Sequence, residues 1–140
     1  MIFALKFLNF VVLHFRARGL DVTHLICTQS LGGYQMQALA MLEAGVARLE
    51  TLAGLPDAGH DYAETTYRLL ILCARQCGNQ CLQRMLTALS LQTLRYSKLG
   101  LASQTRRQRS ASLWREATDA MEHGDTERAV SLARQRIDES

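Results

Sequence analysis

The chain has 140 residues and carries 16 Lys and Arg against 13 Asp and Glu, for a net charge of +3. That length makes one domain with a core of its own, and so mild a charge demands no nucleic-acid partner. One proline, nine glycines and an abundance of Ala, Leu, Gln and Arg leave long stretches of strong helix formers, so an all-α fold is expected.

The run Ile2–Phe15 is very apolar, with Lys6, Asn9 and His14 interspersed. It is too short for a membrane span, which needs about 20 apolar residues. Its length suits a secretory signal, but no small-residue cleavage site follows. A core helix closed by Arg16, Arg18 and Gly19 is the preferred reading. A chain that opens on such a helix reads as one whose upstream part lies elsewhere. Asp21 is a candidate cap, and a second helical region is expected from about Val22 to Ala53, interrupted at Gly32-Gly33. Gly54-Leu55-Pro56-Asp57 is the clearest loop, with Asp57 as a cap.

The stretch Tyr67–Leu82 reads as the end of one buried helix, a Gly78-Asn79 corner and the start of another. Tyr62, Thr66, Leu69, Leu70, Cys73 and Cys77 recur at helical spacing before the corner. Leu82, Met85, Leu86, Leu89 and Tyr96 continue the period after it. This hairpin is the expected core. Of the four cysteines, Cys73, Cys77 and Cys81 recur every four residues. Neighbours on one helix face are poorly placed to bridge each other, so reduced core thiols in a cytosolic protein are expected. A metal or cluster site is the alternative, weakened by the corner at Gly78.

Between Arg95 and Arg115 there are six basic residues (Arg95, Lys98, Arg106, Arg107, Arg109 and Arg115) and no acidic one. The plain reading is a solvated connection. A docking face for DNA or an acidic partner is the other, without interleaved aromatics to support it. Leu113, Trp114, Ala117, Ala120 and Met121 mark a further amphipathic helix. His123-Gly124-Asp125 stops it and caps a last one, where Ala129, Val130, Leu132, Ala133 and Ile137 face the core. Asp138 and Glu139 oppose the dipole at its end, which is expected to fray.

Three landmarks in this order, CGNQCL at 77–82, LSLQTLRYSKLGLAS at 89–103 and AMEHGDTERAV at 120–130, resemble the C-terminal effector-sensing (FCD-type) domain of GntR transcriptional regulators of the FadR branch. Gly78-Asn79 matches that family's corner, and Ala120, Met121, Gly124, Asp125 and Ala129 match its later turn at the same spacings. FRARGLDVTHLICTQ at 15–29 is similar to the family's entry into its first long sensor helix. The resemblance implies an antiparallel bundle of about six helices around a central pocket, a homodimer, and a small carboxylate or acyl effector. Many members hold a divalent metal through an Asp, a His four residues later and two further His. Those positions fall here on Thr66, Leu70, Trp114 and Arg136, and a family arginine falls on Gln29. A leucine and a tryptophan cannot ligate a cation and an arginine repels one, so no metal or other cofactor is expected.

Gln29, Thr66, Leu70, Trp114 and Arg136 are therefore the candidate ligand-binding residues. They form either an apolar pocket with a charged end or a collapsed core that Trp114 fills. Arg136 either meets a carboxylate there or snorkels outward. The family's winged helix-turn-helix is not found, so residues 1–140 read as one sensor domain, cytoplasmic and free of membrane, that reaches DNA only through a missing N-terminal domain. A tetratricopeptide-like interaction module is the alternative, though no 34-residue period repeats. No phosphate loop, zinc helix or nucleophile motif suggests an enzyme.

Overall fold

The computed structural model describes residues 36–76 and 79–139, without the side chains of Met36 and Leu82. The expected features at Ile2–Phe15, Asp21, Gln29, Gly32-Gly33, Cys77 and Gly78 lie outside those residues.

Five helices and no strand occur among the described residues: α1 (Met36–Ala53), α2 (Gly59–Gln76), α3 (Gln80–Gly100), α4 (Gln104–Glu122) and α5 (Thr126–Asp138). α1 is built of Ala, Leu, Met and Glu, all good helix formers, and buries Ala38, Leu42, Val46, Leu49 and Ala53 as one stripe. Its last carbonyls are satisfied by tightened turns, Gly54 N–H to Thr51 O and Leu55 N–H to Leu52 O, both 3.2 Å. α2 buries Tyr62, Thr66, Leu69 and Cys73 on one face. The helix begins at Gly59, so Asp57 stands in the preceding turn and not at its N-terminus. Gly59 is needed for a close approach: a Cβ there would lie 2.9 Å from the Leu101 carbonyl oxygen.

α1 packs against both α2 and α4, α3 packs against α2, and α5 packs against α4. Contact between α1 and α4, distant in sequence, closes one core and distinguishes this bundle from a stack of nearest-neighbour repeats. The main cluster includes Leu42, Val46, Leu49, Tyr62, Leu69, Trp114, Met121 and Val130. The centre of the fold thus differs from the expected one. Among the described side chains of α3, only Ser90 and Gly100 are buried; Met85 is 37% exposed and Leu91 60%. α3 keeps the apolar period but flanks the core, because α2 turns its buried face toward α1 and α4.

The α4–α5 turn follows its sequence signals closely. Gly124 takes φ of +71°, a left-handed conformation that costs glycine little. The Asp125 carboxylate then accepts the Arg128 backbone N–H at 3.1 Å and caps α5. The far end of α5 departs from expectation. Arg109 donates to both Glu139 carboxylate oxygens, at 2.8 and 3.1 Å, so the end is anchored to α4 and not frayed.

Candidate functional site

Trp114 reaches the centre of the bundle from the middle of α4, on the face that also carries Arg107, Ser110, Ala111 and Ala117. Its indole is 4% exposed. The half-buried Arg136, near the end of α5, lays its guanidinium carbon 4.4 Å from the indole ring centroid. At that distance cation and π-face attract, and the flat guanidinium suits the flat ring.

Tyr62 enters from the second turn of α2 and is fully buried. Burial pushes its phenol pKa up to about 12, opposed by the neighbouring Ser110 hydroxyl and by the charges of Arg136 and Arg107. Ser110 is close enough to act on the phenol, yet the Tyr62 hydroxyl completes no well-formed hydrogen bond. Thr66 follows one helical turn later on the same face. Its Oγ1 and the Trp114 Nε1 are likewise buried without a protein partner. Buried polar atoms are nearly always paired, so these three, two on α2 and one on α4, stand out in an otherwise apolar core.

The candidate residues separate clearly. Trp114 and Arg136 are in contact. Thr66 is buried on the α2 face next to Tyr62, and Leu70 is half-buried against the main core cluster. Gln29 lies outside the described residues. Tyr62 and Ser110 were not among the candidates, although Tyr62 stood in the stripe; an aromatic at core spacing gives no hint that its hydroxyl lacks a partner. The donor set does not fit a metal ion. Of the four aligned positions only the Thr66 hydroxyl offers a lone pair, and Arg136 brings a positive charge.

A cleft of about 50 Å³ opens beside Arg136, lined by Leu101, Arg106, Arg109, Ser110, Leu113 and Glu139 among others. A larger open groove of about 720 Å³ lies elsewhere, between α1, α2 and α3, with Tyr67, Ile71, Leu72, Arg75, Arg84 and Leu91 among its lining. It shares no residue with the Trp114 cluster.

The basic run divides: Arg95, Arg106 and Arg109 are exposed, whereas Arg107 and Arg115 turn toward the rest of the bundle. Arg107 is fully buried and donates to the carbonyls of Leu101 (2.8 Å), Ala102 (2.7 Å), Leu55 and Pro56 (2.9 Å). One guanidinium therefore ties the α1–α2 loop to the α3–α4 turn. Gln104, one turn earlier, donates to the Gly54 carbonyl at 3.0 Å and bridges the same two segments. Arg115 holds α4 to α1 through Glu43 (2.7 Å) and a two-pronged contact with Glu50 (2.9 Å each). That contact raises the Arg115 pKa and lowers that of Glu50, first through the shared hydrogen bonds. Nothing in the composition of the run separates these inward arginines from outward ones.

Two groups of carboxylates and histidine, His60 with Asp61 and Glu64, and Glu43 with Asp119 and Glu122, bring ligand atoms within 4.8 Å of one another. Both are largely exposed. Among the described residues, no helix is long and apolar enough to cross a membrane.

Residues 34–139 match the FCD domain. No curated protein and no solved structure matches the chain.

Proposed function

The chain belongs to the FCD domain family, the ligand-sensing and dimerisation module of GntR/FadR-type transcriptional regulators, and we propose that it senses a small carboxylate or acyl compound at Tyr62, Thr66, Trp114 and Arg136. FCD domains are regulatory modules, not catalysts. The observation that carries the assignment of the site is the trio of orphaned buried atoms, Tyr62 Oη, Thr66 Oγ1 and Trp114 Nε1, beside a guanidinium stacked on the indole. An anionic head can accept from all of these donors. The family role supports the rest of the reading: a homodimer in the cytoplasm whose DNA contacts come from a winged helix-turn-helix domain outside these helices. The free, exposed thiol of Cys81 fits that reducing setting.

Thermal-shift screening against small carboxylates and acyl-coenzyme A compounds tests the reading. A ligand that binds only the folded state raises the melting temperature with concentration. At least one compound should do so in the wild-type chain and fail in Tyr62→Phe/Trp114→Phe. A flat response across the whole panel would instead mean a core that has closed on itself.

A further inference from the structure

We infer that the open groove between α1, α2 and α3 is a docking surface for an acidic amphipathic helix of a partner protein. The groove shares no residue with the Trp114 cluster, so the inference stands apart from the sensing role proposed above.

α3 stands at the edge of the bundle, with α2 as its principal neighbour among the described helices. Its apolar period continues round to a side left in water. Leu91 of α3 is 60% exposed and Met41 of α1 56%. Between them the half-buried Tyr67, Ile71 and Leu72 of α2 line the same groove. Contiguous apolar surface of this kind, rimmed by polar groups, marks an interaction site. The groove holds about 720 Å³ and is open. A small ligand would stay largely in water there, whereas small-molecule sites bury most of what they bind. A helix needs to lay only one face in a groove, through apolar anchors at i, i+3, i+4 and i+7.

Charge selects the occupant. Every charged side chain that lines the groove is an arginine: Arg68, Arg75 and Arg84. α3 itself carries no acidic residue. Arg68 meets Glu64 at 3.3 Å, an exposed pair that holds it weakly. Arg75 and Arg84 make no ion pair among the described residues. Arg68 and Arg75 stand two turns apart on α2, about 10 Å along its axis. Acidic residues at the same interval on a docked helix would meet both. A second copy joined through this face by a two-fold axis would instead bring like charges together. The chain's own apolar run Ile2–Phe15 contains Lys6 and no acidic residue, and Arg16 and Arg18 follow it, so it too has the wrong sign. An acidic amphipathic helix supplies both the apolar face and the opposite charge.

The test is fluorescence anisotropy of two labelled synthetic helical peptides titrated with the full chain. Both carry leucine at i, i+3, i+4 and i+7; one has glutamate and the other lysine at the flanking positions. The result expected is saturable binding of the glutamate peptide, weakened by salt, and none of the lysine peptide. Arg75→Glu/Arg84→Glu should lose about tenfold or more in affinity for the glutamate peptide and gain the lysine peptide. Leu91→Asp should also weaken the glutamate peptide. These three side chains are exposed, and unchanged melting of the variants shows that they are folded. No binding of the glutamate peptide, equal binding of both peptides, or full affinity in Arg75→Glu/Arg84→Glu overturns the inference. A wild-type dimer that light scattering finds monomeric in Leu91→Asp overturns it too and puts a second copy in the groove. Binding that appears only when the full chain carries Leu8→Asp/Val12→Asp overturns it in favour of the chain's own apolar run. The carboxylate response proposed for the Trp114 site is untouched by any of these results.

Discussion

Arg136 and Trp114, on adjacent helices, are joined face to charge, with the guanidinium carbon 4.4 Å from the ring centroid. The contact places a permanent positive charge against a residue that is 4% exposed. In the absence of ligand it should contribute about 0.5–1 kcal/mol. A double-mutant cycle of Arg136→Gln and Trp114→Leu, followed by urea unfolding, isolates that coupling from the larger cost of emptying the core at Trp114. A coupling near zero would mean that the two side chains do not meet in solution.

Arg107 is expected to be the most costly arginine to replace. Its guanidinium serves four carbonyls in two loops, and Arg107→Leu leaves those oxygens without donors. A loss of about 3–5 kcal/mol is expected by urea denaturation, as for breaking a buried charged network. Arg107→Lys should recover little, because one ammonium cannot span both loops.

These arginines show where the sequence was legible and where it was not. Helix existence, the Gly124-Asp125 turn and the inward stripe of α2 follow from spacing and capping residues, which act locally. The weight of the core on α1, α2 and α4, the outer position of α3 and the inward turn of Arg107 depend on which helix meets which. Local pattern does not carry that information. Trp114 and Arg136 were legible only through the resemblance to a family, and the orphaned hydroxyl of Tyr62 not at all.

Tyr62 sets an alkaline limit. Its phenol is raised to about 12 by burial, against about 10 in an unfolded chain. The neutral form is therefore favoured in the folded state. Its contribution is fully present below about pH 10 and is lost as pH rises from there through about 12. Absorbance titration of phenolate should show one late component that is missing in Tyr62→Phe. A Tyr62 that titrates with the exposed phenols would contradict its burial.

α1 and α2 cross at Gly45 so closely that an added Cβ would collide with the Leu69 side chain. Gly45→Ala gains helix propensity but overpacks this contact, and a net loss of about 1–3 kcal/mol is expected. Leu69 is a flexible obstacle rather than a backbone one, so Gly45→Ala should be less harmful in a Leu69→Val background. Additive effects in urea unfolding would show that the helices do not meet here.

Trp114 is the sole tryptophan in the chain, which makes its emission a direct report on the site. Titration of the wild-type protein with the carboxylate that most raises its melting temperature is the most direct test. A saturable change in Trp114 emission, with a midpoint equal to the dissociation constant from calorimetry, is the result expected. Tight binding by calorimetry with no change in that emission would put the ligand elsewhere and contradict the account.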